Sequence, residues 1–281
     1  MIFKCPSCQQ ALTLNSSQKS YQCTNKHSFD IAKEGYINLL LAQKKRSKNP
    51  GDDNTMMACR QRFLNQGYYQ FLVDELVQII TNTTINSAPI NTLLDVGCGE
   101  GFYGQQIKNM LNAIELTGID IAKGGVRLAA KRKNLELQVY HQLAVASAFD
   151  LPFMEASFDC AVSIFSPIDT QEAARTLKNG GIFIAVGPAN NHLQGLAEAI
   201  YDSFKPHENG FKNLDDDPLF KQVNHKILEQ SVTIYGEAIY NLLTMTPYYW
   251  STPADKRASI EAHDGLKVTA DFTIRRTRFD G

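Results

Sequence analysis

Asp95-Val96-Gly97-Cys98-Gly99-Glu100-Gly101 joins a predicted strand, Thr92–Val96, to a predicted helix, Phe102–Leu111. Glycine lets a backbone turn tightly and come close to a ligand, because no Cβ stands in the way. The next predicted strand, Glu115–Asp120, ends on an acidic residue that can accept hydrogen bonds from both hydroxyls of a ribose. These residues therefore predict a nucleotide-binding turn in an α/β protein.

Strands and helices are predicted to alternate on both sides of this turn. Further strands are predicted at Leu137–Gln142, Phe158–Phe165, Ile182–Val186, Ser231–Gly236 and Lys267–Arg275. Helices are predicted at Thr55–Leu64, Tyr68–Thr81, near Ile121–Lys133, at Thr170–Lys178, where Asn179-Gly180-Gly181 would end the helix, and at Asn191–Ser203. Such alternation predicts an α/β fold with a parallel sheet covered by helices on both faces.

The glycine spacing resembles motif I of the class I methyltransferases. Gly97-x-Gly99-x-Gly101 departs from the G-x-G-x-x-G spacing that is typical of NAD-binding proteins. Three more pieces follow in the order of that family, namely Leu151-Pro152-Phe153, Ser157-Phe158-Asp159 and Leu177-Lys178-Asn179-Gly180-Gly181. The resemblance implies a Rossmann-like sheet that binds S-adenosylmethionine in preference to NAD. A degenerate domain that binds no cofactor is the alternative.

The same resemblance implies a set of cofactor-binding positions. They are Asp95, Gly97, Gly99, Gly101, Tyr103, Asp120, Ile121, Ser147, Ala148 and Phe165. Many class I enzymes carry an acid where this chain has Ser147. The adenine would then be held by Ser147 or by the backbone of Ala148, and by stacking.

Metal-ligand residues cluster at the start of the chain, in the pattern C-x2-C-x14-C-x3-H. The cluster consists of Cys5, Cys8, Cys23 and His27. Four soft ligands match a tetrahedral structural zinc and leave no position open for catalysis. The alternative is a set of unpaired cysteines and a surface histidine. The other three cysteines are scattered and are expected to be small buried apolar residues: Cys59, Cys98 and Cys160.

Composition and charge separate a basic head from an acidic body. The chain has 281 residues, of which 43% are hydrophobic, which suits one full-sized core and a small extra module. Residues 1–48 carry eight lysines and arginines and two acids, which gives this part a charge of +6. Because the net charge of the whole chain is −1, the remaining residues carry a charge of −7. The head could bind a polyanion or be a solvated surface. No membrane-spanning run or secretory signal is found, which predicts a cytoplasmic protein.

We expect three parts in the chain. Residues 1–34 would form a zinc ribbon, residues 35–85 a basic connector with helices, and residues 86–281 the S-adenosylmethionine-dependent domain. Pro50-Gly51 marks a turn in the connector.

Nearly the whole chain resembles the large-subunit ribosomal RNA guanine-N1 methyltransferases. The matching pieces, besides the ribbon and the glycine loop, are Asp30–Leu39, Lys45-Arg46-Ser47, Pro50-Gly51-Asp52, Met56-Met57 with Arg60, Pro188 with His192-Leu193, and Met245-Thr246-Pro247 with Trp250. The resemblance implies methylation of N1 of one guanine in a hairpin loop of 23S rRNA, in the helix 35 region. It also implies S-adenosylmethionine as methyl donor, a structural zinc and a homodimer.

Several residues are candidates for chemistry and RNA binding. Asp169 or His192 could act as the base that removes the N1 proton, although Asp169 could instead cap the following helix. The predicted RNA-binding residues are Lys44, Lys45, Arg46, Lys48, Arg60, Tyr248 and Trp250. A core position for Trp250 is the alternative. Two rival functions remain: a small-molecule methyltransferase acting on a quinone or lipid precursor, and a non-catalytic zinc-ribbon RNA-binding protein.

Overall fold

A computed structural model describes residues 3–45, 50–134, 137–208 and 210–281 of the chain. Its strands are Thr13–Leu14 (β1), Ser20–Gln22 (β2), Ser28–Asp30 (β3), Ile37–Asn38 (β4), Thr84–Ile85 (β5), Ala88–Pro89 (β6), Thr92–Val96 (β7), Glu115–Asp120 (β8), Lys133–Asn134 (β9), Leu137–Gln138 (β10), Gln142–Val145 (β11), Phe158–Ile164 (β12), Leu177–Pro188 (β13), Phe220–Tyr235 (β14) and Gly265–Phe279 (β15). Its helices are Asn54–Leu64 (α1), Gln70–Thr81 (α2), Phe102–Met110 (α3), Lys123–Ala129 (α4), Thr170–Thr176 (α5), Gln194–Ile200 (α6), Lys212–Asp215 (α7), Glu237–Thr244 (α8), Tyr248–Ser251 (α9) and Ala254–Glu261 (α10), with a 3-10 turn at Ala42–Lys44.

Eight strands form one mixed sheet in the order β14-β15-β13-β12-β7-β8-β11-β4. The strands from β13 to β4 are parallel, whereas β15 is antiparallel to both β13 and β14. The predicted α/β fold with a parallel sheet is therefore confirmed, with an antiparallel pair of strands added at one edge.

The strand order reverses direction at β7. From β7 the chain moves outward through β8 to β11, and it then returns to the other side of β7 to make β12 and β13. A crevice opens at the carboxyl end of the sheet at such a switch point, and it is the usual ligand site of an open parallel sheet. The glycine loop that follows β7 lies at this position.

The central strands form because their sequences suit burial on both faces. Every residue of β12 is buried, as are four of the five residues of β7, and both sequences are nearly continuous apolar runs. The predicted bounds of β7 and β8 match those of the structure. Helix α2 is amphipathic and buries one apolar face, which includes Leu72, Leu76 and Ile80.

Several predicted elements are wrong in position. The third strand of the sheet is β11, whereas Leu137–Gln138 pairs with β9 in a separate hairpin. Asn179-Gly180-Gly181 does not end a helix, because α5 stops at Thr176 and the three residues lie within β13. A shift in register between Phe158 and Cys160 accommodates these additional residues.

The last two strands of the sheet, β14 and β15, are longer than predicted. Strands β14 and β15 span 16 and 15 residues and pair along their length. Most of β14 is exposed and polar, so its sequence lacks the alternation that reveals a half-buried strand. No helix in the described parts of the chain combines the length and the apolar character needed to cross a membrane.

The amino-terminal module is packed directly against the large sheet. Strands β1, β2 and β3 form a separate small sheet. The ring of Phe3 stacks on that of Phe153 at 5.5 Å, and the backbone N–H of Lys4 donates to the carbonyl of Pro152 at 2.9 Å. Strand β4, immediately after the module, pairs with β11 at the edge of the large sheet. Both contacts fix the head to the body.

Candidate cofactor cavity and metal centre

The loop between β7 and α3 requires glycine for steric reasons. Gly97, Gly99 and Gly101 have φ values of +74°, +54° and +84°, which L-residues other than glycine rarely adopt. A Cβ at Gly97 would lie 2.3 Å from the Cβ of Ser166, and one at Gly101 would lie 2.9 Å from the Cβ of Ala129. The loop can take this path only with glycine at these three positions.

Asp120 connects this loop to the next one. Its carboxylate accepts the backbone N–H of Gly99 at 2.8 Å and that of Ala122 at 2.7 Å. Burial raises the pKa of Asp120, while these two N–H groups and the charge of Arg60 lower it. Each carboxylate oxygen keeps a lone pair, so the group can still accept a bond from a ribose hydroxyl.

Asp95 has a different position from the one predicted. Its side chain is buried beneath the loop and accepts the hydroxyl of Tyr140 at 2.8 Å. Burial raises its pKa to about 7. Asp95 therefore supports the loop from below and does not line the cavity described next.

A cavity of about 450 Å³ opens beside the glycine loop at the switch point. Four of the predicted cofactor-binding residues line it: Gly97, Gly99, Tyr103 and Phe165. Six do not: Asp95, Gly101, Asp120, Ile121, Ser147 and Ala148. Ile121, Ser147 and Ala148 follow the ends of β8 and β11, which are neighbours in the sheet. The hydroxyl of Ser147 accepts the backbone N–H of Phe149 at 3.2 Å.

The cavity also has lining residues that the sequence did not predict as cofactor ligands. Tyr69 has a buried hydroxyl with no hydrogen-bond partner among the described residues. Burial raises its pKa, so it stays a neutral donor and acceptor. In the sequence, Tyr69 looks like any aromatic residue near an amphipathic helix, and only the tertiary fold brings it to the loop. Asp52 lines the same cavity.

The two predicted catalytic residues are not brought together. Asp169 caps α5 by accepting the backbone N–H of Glu172 at 3.0 Å, as the helix-cap alternative predicts, and it does not line the cavity. His192 does line it and is buried. The ring of Phe165 lies 5.3 Å from that of His192.

The protonation state of His192 follows from its surroundings. Burial, with a smaller contribution from His207, lowers its pKa to about 3, so the ring is neutral. The backbone N–H of Asp271 donates to Nδ1 at 3.3 Å, which leaves the proton on Nε2. His192 is therefore arranged as a hydrogen-bond donor at Nε2, which is a different role from the predicted base.

Among the predicted basic RNA-binding residues, those that the structure describes lie in different surroundings. Lys44 pairs with Asp150 at 2.5 Å, and Lys45 is exposed. Arg46 and Lys48 lie outside the described residues. Arg60 lines the cavity and pairs with Asp52.

The aromatic candidates lie at and near the cavity. Tyr248 is half-buried and lines it. Trp250, two residues later, is 67% exposed, so the core alternative for this residue is wrong. The neighbouring Tyr249 ring lies under the guanidinium of Arg257 at 4.5 Å.

The four metal-ligand residues converge at one point. One donor atom from each of Cys5, Cys8, Cys23 and His27 lies within 4.8 Å of all the others. The distances from Nδ1 of His27 to the sulfurs of Cys5 and Cys23 are 3.6 and 3.4 Å, and the Cys8 and Cys23 sulfurs are 3.6 Å apart. A tetrahedron with zinc–sulfur bonds of about 2.3 Å has edges of roughly 3.7 Å, so the donors fit zinc.

The chemistry of these donors also suits a metal ion. The backbone N–H of Gln10 is the main group that lowers the pKa of the Cys8 thiol, to about 6, which favours the thiolate that zinc binds. Four protein ligands would complete the coordination, so the zinc would be structural. Cys59, Cys98 and Cys160 are buried free thiols, as expected.

Comparison with known proteins gives matches to both parts of the chain. A family model described as "RlmA, N-terminal" matches residues 3–48, and one described as "Methyltransferase domain" matches residues 93–181. A candidate 23S rRNA (guanine-N(1)-)-methyltransferase of Bacillus subtilis is 30% identical over 97% of this chain and 95% of its own length. The 23S rRNA (guanine(748)-N(1))-methyltransferase of Streptomyces fradiae is 28% identical over 97% of this chain and 96% of its own.

A solved structure supports the fold alone. The YcgJ protein of Bacillus subtilis superimposes with a TM-score of 0.51 at 14% identity, over 74% of this chain and 98% of that one.

Loss of His27 should release the metal. The purified protein should contain one zinc ion per chain, and His27→Ala should weaken zinc binding by more than about tenfold, because a ligand is lost from a closed site. Competition with a chromophoric chelator measures the affinity. His263→Ala, which removes an exposed histidine, is the matched control. Unchanged zinc affinity in His27→Ala would contradict the assignment.

The buried His192 should make stability depend on pH. The unfolded chain binds a proton on this residue near pH 6.5, whereas the folded chain does so only near pH 3, so stability falls as the pH decreases through this window. Between about pH 6.5 and pH 5 the loss from His192 should be roughly 1.5 kcal/mol. Urea unfolding of His192→Gln should lack this part of the pH dependence, and His263→Gln should keep it. Equal slopes for His192→Gln and the unsubstituted protein would show that His192 is not buried as a neutral ring.

Proposed function

The chain belongs to the family of 23S rRNA (guanine-N1)-methyltransferases, and we propose that it methylates N1 of a single guanine in a hairpin loop of 23S rRNA, in the helix 35 region. The supporting observation is the combination of a zinc-binding head and a switch-point cavity in one chain. The relatives match this combination over 97% of the chain. A match to the cofactor domain alone would not support an RNA substrate.

S-adenosylmethionine fits the cavity as methyl donor. The loop at Gly97–Gly101 allows close approach of a ligand, and the hydroxyl of Tyr69, which lines the cavity, needs a hydrogen-bond partner. When bound, S-adenosylmethionine supplies an electrophilic methyl group. The cavity walls then need to orient the target nitrogen in line with that group.

Guanine N1 carries a proton, so negative charge develops on the base as this proton leaves. A donor aimed at O6 stabilises that charge. His192 has the required state, because it is neutral, buried and protonated at Nε2. We assign it the donor role, and the proton itself would pass to water or to another group.

Exposed aromatic rings near the cavity suit a base that leaves its loop. Phe165 lies at the end of β12 with 44% of its surface exposed, and its φ of +54° is a strained conformation for a side chain of this size. Tyr248 forms part of the wall and Trp250 is exposed beyond it. Flipped bases commonly stack on such rings.

The larger organisation of the enzyme is also proposed from the family. Residues 1–34 would act as the ribbon, residues 35–85 as the basic connector and residues 86–281 as the catalytic domain. The enzyme would be a cytoplasmic homodimer that binds 23S rRNA through its basic head. A small-molecule methyltransferase would use the same cavity, but the head would then have no part in substrate binding.

Methyl transfer can be tested directly on ribosomal RNA. Labelled S-adenosylmethionine and RNA from a strain that lacks this protein should give one labelled guanine. Reverse transcription should stop there, because N1-methylguanine blocks base pairing. RNA from the parent strain, already methylated, is the control and should accept no label. Tight cofactor binding without labelled RNA would contradict the rRNA substrate and favour a small molecule.

The basic run should contribute to RNA affinity. Charge reversal at Lys45, Arg46 and Lys48 should weaken RNA binding and reduce the salt dependence by roughly two to three counterions, because each phosphate contact releases about one. Lys44 is left unchanged because of its pair with Asp150. Filter binding at several salt concentrations measures both quantities.

Two controls accompany this experiment. Cofactor affinity should stay the same in the variant, and charge reversal at the exposed Lys131 and Lys133 should have little effect on RNA binding. Unchanged RNA affinity after reversal of the run would disprove its role.

A further inference from the structure

Two oppositely charged side chains stand in the wall of the cavity beside the glycine loop. Nη2 of Arg60 lies 2.7 Å from Oδ2 of Asp52, and both residues line the cavity. About a third of each side chain is exposed, at 30% and 33%. An ion pair with this exposure adds little to the free energy of unfolding. A contribution to stability therefore does not explain why these two side chains are paired in the cavity wall.

The fold holds this pair in place from both ends. Asp53 caps α1 by accepting the backbone N–H groups of Thr55 and Met56, which fixes the turn that carries Asp52. Gly51, with φ of +83°, packs so closely on Ala122 that a Cβ would lie 2.9 Å from the Cβ of that residue. The chain segment therefore rests directly on the residues that follow Asp120.

Arg60 approaches the loop from the cavity side. Its Nη1 lies 3.6 Å from the position that a Cβ of Gly99 would take. Among the described residues that line the cavity, it is the one lysine or arginine, and His192 is neutral. The cavity thus offers one fixed positive charge with the carboxylate of Asp52 beside it, whereas the other acidic lining residue, Glu100, is paired with Arg132.

We infer that Asp52 and Arg60 form the binding site for the amino-acid end of the cofactor, with Arg60 receiving the α-carboxylate and Asp52 the α-ammonium group. A guanidinium presents two parallel N–H donors that match a carboxylate, and an aspartate oxygen accepts from an ammonium. The inference rests on the proposed function, because it requires a cofactor with a zwitterionic end. It replaces the predicted contact of Arg60 with RNA.

Binding of two nucleosides distinguishes loss of a contact with the amino-acid end from a general disturbance of the cavity. S-adenosylhomocysteine has the amino-acid end, and 5′-methylthioadenosine has the same adenosine and thioether without it. Arg60→Ala should weaken S-adenosylhomocysteine binding by about tenfold to a hundredfold, the range for losing a charge-assisted hydrogen bond, and leave methylthioadenosine binding unchanged. Asp52→Asn should have the same selectivity. Isothermal calorimetry measures all the affinities.

Conservative and control variants make the result specific. Arg60→Lys keeps the charge but loses the paired donors, so its affinity for S-adenosylhomocysteine should be intermediate. Arg62→Ala removes a guanidinium from the same helix that bonds Asn241 and does not line the cavity, so it should change neither affinity. For each variant, methylthioadenosine binding reports whether the cavity is folded.

Three outcomes would overturn the inference. Equal losses for both nucleosides in Arg60→Ala would mean a general disturbance of the cavity. An unchanged affinity for S-adenosylhomocysteine would mean that Arg60 does not touch the amino-acid end. Failure of the unsubstituted protein to bind S-adenosylhomocysteine would refute the proposed function itself, and the inference with it.

Discussion

The carboxylate of Asp120 holds together the two loops on which the cavity depends. It is buried at the end of β8 and accepts one backbone N–H from the glycine loop and one from the start of the next loop. Burying a charge costs free energy unless hydrogen bonds satisfy the charged group. The carboxylate and the two backbone N–H groups therefore stabilise one another. The glycine conformations, the path into α3 and the opening of the crevice all follow from this junction.

The head and the body of the enzyme are linked by backbone as well as by side chains. Strand β4 extends the large sheet beyond β11, and Phe3 stacks on Phe153. A ribbon of this size has little core of its own and depends on its metal to fold. The metal centre therefore stabilises one edge of the catalytic sheet as well as the ribbon.

Local sequence predicted the parts of the molecule whose structure is determined locally. The bounds of β7 and β8, the glycine loop and the four metal ligands could all be identified from apolar runs and ligand spacing. Tyr69 and the Asp52–Arg60 pair could not, because they reach the cavity only when the segment before α2 folds over the loop. The length of strand β14 was underestimated, because the residues of this exposed edge strand do not alternate between apolar and polar.

The position of β15 also sets the order in which the enzyme can be built. In the sheet β15 lies between β13 and β14, although it follows both in the chain. Its Phe272 contacts the rings of Tyr69, Phe165 and His192, which all line the cavity. During synthesis on the ribosome, β14 has no sheet partner until β15 emerges, and the wall of the cavity is incomplete until the same moment. A nascent chain thus completes this cavity only after β15 has been made, so a chain that stops short of β15 has no complete cavity wall.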